Sequence, residues 1–381
     1  MQYKVLFKRC LLAIVVMFVV TSLQAQREMK TINDNWEFRK SIDESWESVN
    51  LPHTFNIDAY QQRNYYQGKG FYRRTLVLPE IVAERRYYMK IDAASKAANI
   101  RVNGKEVGSH VGGYTACIVD ITEYIRKENL IEITVDNGRK DITPISADFT
   151  FWGGIYRDVW LISTPKQHFN MSNMGSDGIF ISTPVVNEKR GVLKVKCEVT
   201  NDSHESSILE VRSAIYSPQG KLLQTIKQKQ KLKSGETYIF ENTSGAIESP
   251  DLWSPETPSL YLVKTTLVDP KSGKLLDEKN HKVGFRWFTF DGSKGFFLNG
   301  KSYKLRGLNR HQDQAPAGVA LDDEAHRRDI FLMKELGCNF IRISHFPQDD
   351  AILEMCDELG LLAWEEIPII NIVPNTPGYD D

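Results

Sequence analysis

Asn339-Phe340-Ile341-Arg342-Ile343 is a short apolar run, and what flanks it decides the fold. Before it, Asp322–Leu336 places Ile330, Met333 and Leu336 at helical spacing, with Gly337 positioned as a C-cap. After it, Asp349–Leu359 repeats the helical pattern until Gly360 stops it. Tyr303–Leu308 and Leu361–Trp364 read as strands on either side. Strand–helix–strand–helix–strand at this spacing predicts parallel βα units. A closed barrel of such units takes about 250 residues, and this region spans only 289–381. The expected element is therefore the first part of a barrel.

Upstream the pattern is all β. Tyr72–Leu78, Arg86–Ile91, Asn99–Val102 and Leu130–Val135 are rich in β-branched and aromatic residues, and Asn103-Gly104 is a hairpin signal. Further on, Gly191–Thr200, Ser207–Tyr216, Thr237–Glu241 and Tyr261–Val268 continue it, separated by turn clusters at Ser217–Gly220 and Asp269–Gly273. No helix-length amphipathic stretch interrupts either region. The predicted fold class is multidomain: a jelly-roll β-sandwich over 26–165, an immunoglobulin-like β-sandwich over 166–288, and the first part of a TIM (β/α)8 barrel over 289–381.

The N-terminus reads differently. Lys4, Lys8 and Arg9 precede an apolar run from Leu11 to Val20, followed by Thr21, Ser22 and Ala25. This is the pattern of a secretory signal peptide over residues 1–25. A stable membrane anchor is not expected, because spanning takes about 20 apolar residues. The expected location is periplasmic or secreted. Lys plus Arg total 48 against 49 Asp plus Glu, a formal charge of -1, which argues against a nucleic-acid partner. Cys117, Cys197, Cys338 and Cys356 are scattered without a C-x-x-C pair, so buried thiols are expected. Oligomeric state is not legible.

Barrel chemistry sits at the C-terminal ends of the strands. The first strand runs into Asn309-Arg310-His311, the second into Ser344-His345-Phe346-Pro347, and the third into Glu365-Glu366. Two histidines, arginines and carboxylates converge there. Arg310 and Arg342 also admit internal pairing with barrel carboxylates. Glu365 and Glu366 cannot form a catalytic pair, since strand neighbours point to opposite faces; at most one faces the site. His311 and His345 could bind a metal, yet no third ligand has a recognisable spacing. No Gly-x-Ser-x-Gly elbow and no Gly-x-Gly-x-x-Gly fingerprint is present.

These residues resemble glycoside hydrolase family 2, which includes β-galactosidases, β-glucuronidases and β-mannosidases. Asn339–Pro347 with Asp357-Glu358-Leu359-Gly360 is similar to a family signature, as are Arg306–His311 and Trp364–Pro368. Leu51-Pro52-His53, Gly70–Arg73, Val102-Asn103-Gly104, Gly112-Gly113-Tyr114 and Gly153–Val159 are similar to its sugar-binding jelly roll. Ile343 stands where a small residue is usual, and Phe346 where Tyr is. The resemblance implies an exported, retaining glycosidase of the β-galactosidase type acting on a carbohydrate. It implies His311, His345, Asp148, Asn309 and Arg310 as substrate contacts, with Asp148 reaching from the jelly roll to the barrel mouth. It places both catalytic glutamates after Asp381, so no catalytic residue is assigned and the 381-residue chain is expected to be inactive. No cofactor is called for in this segment. Asn309-Arg310-His311 favours galactoside over glucuronide, and a non-catalytic carbohydrate-binding fragment or pseudoenzyme is the alternative.

Overall fold

The structure, a computed structural model, describes residues 26–371. The signal-peptide reading of residues 1–25 lies outside the described residues.

Two antiparallel sheets form the first sandwich. One has four strands in the order Glu28–Thr31, Val159–Pro165, Arg85–Ile91, Cys117–Asp120. The other has six, with Glu128–Asp136 paired between Lys69–Val77 and Ala97–Val102. Alternation drives the pairing: Ile131, Ile133 and Val135 point inward to meet Trp36, Phe38, Tyr72 and Met89. The Asn103-Gly104 hairpin forms with both residues at positive φ, 52° and 78°, as the twist of a two-residue turn requires.

The second sandwich packs a sheet built on Arg190–Asn201 against one ordered Leu222–Leu232, Ser207–Tyr216, Tyr261–Val268, Leu275–Val283. Val195, Cys197, Val199, Val211, Ile215 and Phe240 fill its core. All four cysteines named above are buried and unpaired.

A small antiparallel sheet (Phe288–Asp291, Gly295–Leu298, Lys301–Ser302) then leads into three parallel strands, Gly307–Arg310, Phe340–Ile343 and Leu362–Glu365. The first barrel strand starts later than the expected Tyr303. Asn339 ties down Arg306 N and Lys304 O, and parallel pairing begins only at Gly307. A Cβ at Gly307 would lie 2.1 Å from Phe340 O, so only glycine permits that approach. The helices span Asp323–Glu335 and Asp350–Leu359, with Asp322 and Asp349 as N-caps. Ile341 and Ile343 face these helices among Ile330, Met333 and Ile352. The opposite face carries Asn309, Arg342 and Trp364 in one cross-strand row. That inner face is open, with Trp364 55% exposed.

The barrel segment is anchored to both sandwiches. Arg157 Nη2 donates to Pro347 O at 2.7 Å, and Tyr114 stacks on Phe346 at 3.9 Å between ring centroids. Trp253 Nε1 donates to Asp357 O at 2.8 Å, and Lys334 Nζ to the carbonyls of Pro255 and Gly360.

Candidate active site

The C-terminal ends of the parallel strands form one rim, and His311, His345 and Glu366 lie on it. Alternation along the second strand fixes who faces inward. Ile341 and Ile343 are on the helix side, so Arg342 between them faces the barrel interior. The third strand repeats this: Glu365 pairs with Ile343, which leaves Glu366 for the inner side. Glu366 then meets two partners. Its Oε1 accepts from Arg342 Nε at 2.6 Å, and its Oε2 lies 2.7 Å from His345 Nδ1. Burial alone pushes the Glu366 carboxyl up, but the hydrogen bonds from His345 and Arg342 outweigh it and hold it below the usual range. Glu365 meets neither His345 nor Arg342; burial, with repulsion from Asp350, raises it against a backbone hydrogen bond from Gln348.

His311 meets His345 edge-on, with centroids 5.2 Å apart. Phe149, from the jelly roll, lies nearly parallel to His345 at 5.9 Å and 17°. Phe149 also touches Phe346, which brings the neighbouring Asp148 to the barrel rim. The Asp148 side chain is exposed and makes no hydrogen bond among the described residues. Asn309 faces inward beside Arg342, with Oδ1 and Nη1 3.5 Å apart. Trp152 packs against Tyr60 and Gly318 and is a core residue.

Arg310 is the exception among the expected substrate contacts. It is 3% exposed and on the helix side of its strand. Its Nε and Nη2 donate to Asp329 and its Nη1 to Gln348 Oε1 at 2.6 Å. A guanidinium so engaged has nothing left for a sugar; it anchors the first helix instead. The reading by adjacency failed because neighbours in a strand point apart. Arg342 makes the internal carboxylate pair that the sequence left open, and of the two adjacent glutamates only Glu366 faces the site.

The recess between Phe149, Trp152, His311 and Asp313 measures about 20 Å³, room for one water. Larger clefts of about 580 and 550 Å³ lie at the jelly-roll edge and the three-domain junction, and neither includes His311, His345 or Asp148.

Comparison with known proteins accords with this geometry. Three family signatures match in order: the glycosyl hydrolases family 2 sugar binding domain over 13–165, the family 2 domain over 177–286, and the family 2 TIM barrel domain over 291–376. The β-glucuronidase of Bacteroides fragilis is 34% identical over 92% of the chain and 51% of its own length. A β-galactosidase of Thermoanaerobacter pseudethanolicus is also 34% identical, over 88% of the chain and 44% of its own length. The crystal structure of a Bacteroides uniformis β-glucuronidase superposes with a TM-score of 0.90 at 57% identity, covering 93% of this chain and 44% of that one. The chain thus spans about half the length of the relatives it matches. It belongs to glycosyl hydrolase family 2.

Proposed function

We propose that the chain supplies the sugar-binding, immunoglobulin-like and first barrel segments of an exported, retaining β-glycosidase whose substrates are β-glucuronides. The observation that carries the substrate class is the 57% identity to the B. uniformis β-glucuronidase. A second structure at the same identity holds B. uniformis β-glucuronidase 2 covalently bound to a cyclophellitol-6-carboxylate aziridine. A covalent adduct suits a retaining mechanism, in which a carboxylate nucleophile forms a glycosyl-enzyme intermediate. Neither Glu365 nor Glu366 fits that role here: one faces the helices and the other is spent on His345 and Arg342. His311, His345, Asn309 and Asp148 instead offer contacts for sugar hydroxyls. The galactoside reading leaned on Asn309-Arg310-His311, and Arg310 is withdrawn from the site. The test is turnover by the complete gene product. Hydrolysis of aryl β-glucuronides should exceed that of aryl β-galactosides at least tenfold in kcat/KM. The reverse order would assign a galactosidase, and glycan binding without turnover a binding protein.

A cation belongs to the same proposal. A calcium-binding mutant of B. uniformis β-glucuronidase 2 has two aspartates replaced by alanine, spaced in sequence as Asp323 and Asp349 are here. The donors suit a hard cation, which takes roughly six to eight oxygens. Burial, then repulsion from Asp349 and Asp158, raises the Asp323 carboxyl; burial, with Asp92 and Asp349 adding to it, raises Asp158. Among the described residues no three such side chains converge on one point, so the fit is one of donor type and charge. Asp323 and Asp349, one at the start of each barrel helix, would supply donors to the ion. Calcium should raise the melting temperature and a chelator lower it. An Asp323→Ala, Asp349→Ala variant should lose that response; an unchanged response would remove these residues from the assignment.

A further inference from the structure

The ring of His345 is held on three sides: Glu366 at Nδ1, Phe149 along one face, and the edge of His311. The proton on the 2.7 Å contact has one possible owner. A carboxylate only accepts, so the hydrogen sits on Nδ1. Arg342 Nη2 also approaches Nδ1, at 3.4 Å. A guanidinium only donates, and a protonated Nδ1 cannot receive it, so the shorter charge-assisted contact decides. Arg342 acts on the carboxylate instead, holding Oε1 while Oε2 stays aimed at the ring. In the neutral ring Nε2 is then a bare lone pair, and it is unbonded among the described residues.

We propose that Glu366 is a positioning residue that fixes His345 in its Nδ1–H tautomer, presenting Nε2 as a hydrogen-bond acceptor for a sugar hydroxyl. The sugar rests on the function proposed above; the tautomer does not. The assignment carries a specificity. A bare Nε2 takes the hydrogen of a hydroxyl and repels an ionised carboxylate. His345 therefore grips a ring hydroxyl of a glucuronide, and the carboxylate must be read by other groups. Glu366→Gln changes this, because an amide offers a donor as well as an acceptor and no longer compels one tautomer.

Nitrogen-15 NMR of histidine-labelled chain reads the tautomer directly, with His345→Gln identifying the resonance. In the singly protonated ring His345 should carry its proton on Nδ1 and leave Nε2 bare, and Glu366→Gln should mix the two tautomers. In the complete gene product Glu366→Gln should lower kcat/KM by roughly ten- to hundredfold, the scale for groups that orient a functional imidazole. Combining it with His345→Gln should cost little more than His345→Gln alone, since one acts through the other. An Nε2–H tautomer in the unaltered chain overturns the proposal, as do additive losses in the double variant. If no β-glycoside is turned over, the proposed function fails, and the nitrogen spectrum still decides the tautomer.

Discussion

His53 packs under Tyr72, its Nδ1 2.8 Å from the phenol oxygen and its ring 4.8 Å from that of Phe38. Burial, and then the charge of Lys40, brings its pKa down to about 4. The folded protein thus holds a neutral ring that protonates readily once the chain unfolds. Below pH 6.5 the unfolded state binds the extra proton, so stability should fall from there to about pH 4 and stay flat above. The full shift corresponds to at most roughly 3 kcal/mol. Thermal melts of His53→Gln should show a shallower acid slope than the parent protein; an identical slope would clear His53 of the effect. At this scale the sequence was partly readable. Strand-end positions brought His311, His345 and Asn309 to one rim because a barrel gathers its strand ends there. Arg310 misled because side-chain direction depends on which strand face meets the helices. Which of Glu365 and Glu366 faces the site was not readable, because the choice is set by Arg342 and His345, distant in sequence.

Helices were the most legible elements, since each carries its own punctuation. Asp322 and Asp349 cap their starts by accepting from Ala325 and Ala351, and Gly337 and Gly360 follow their ends in left-handed geometry. Leu222–Leu232 was invisible by comparison. It lies at a sheet edge, where Lys227, Lys229 and Lys231 point to solvent, and such lysines deter edge-to-edge pairing while erasing the apolar signal. The Phe288–Ser302 sheet was missed because its strands run only two to four residues. The two cap glycines permit a controlled comparison. Both have positive φ, 84° at Gly337 and 78° at Gly360. A Cβ at Gly337 would meet nothing within 4 Å, whereas one at Gly360 would lie 2.5 Å from Pro255 O. Gly337→Ala should cost only the conformational penalty, about 1 kcal/mol. Gly360→Ala should cost clearly more, about 2–4 kcal/mol, because the added methyl runs into a backbone carbonyl across a domain boundary, where neither side yields cheaply. Equal losses in denaturant titrations would mean that the barrel segment yields at that boundary.

Across the whole molecule, stability turns on how the two sandwiches and the barrel segment are coupled, and one buried ion pair joins the sandwiches. Arg27 Nη2 donates to Asp277 Oδ2 at 2.7 Å and to Phe169 O at 2.8 Å, with the two side chains 4% and 0% exposed. Asp277 also accepts from Phe169 N at 2.9 Å. Arg27 precedes the first strand of the jelly roll, Phe169 lies at the junction, and Asp277 is in the second sandwich. A pair this deep has paid most of its attraction in lost hydration, so its presence adds little net stability. Breaking it is another matter. Asp277→Leu leaves a guanidinium without a counter-charge in the interface and an amide without an acceptor, which should cost about 3–5 kcal/mol. Arg27→Met added to Asp277→Leu removes the stranded charge and should recover most of that loss. Calorimetry separates coupling from local damage. The parent should melt its sandwiches in one transition, Asp277→Leu should split it in two, and the double variant should restore one. If Asp277→Leu keeps a single transition shifted by less than about 1 kcal/mol, the sandwiches are held together by their other contacts and the ion pair is dispensable.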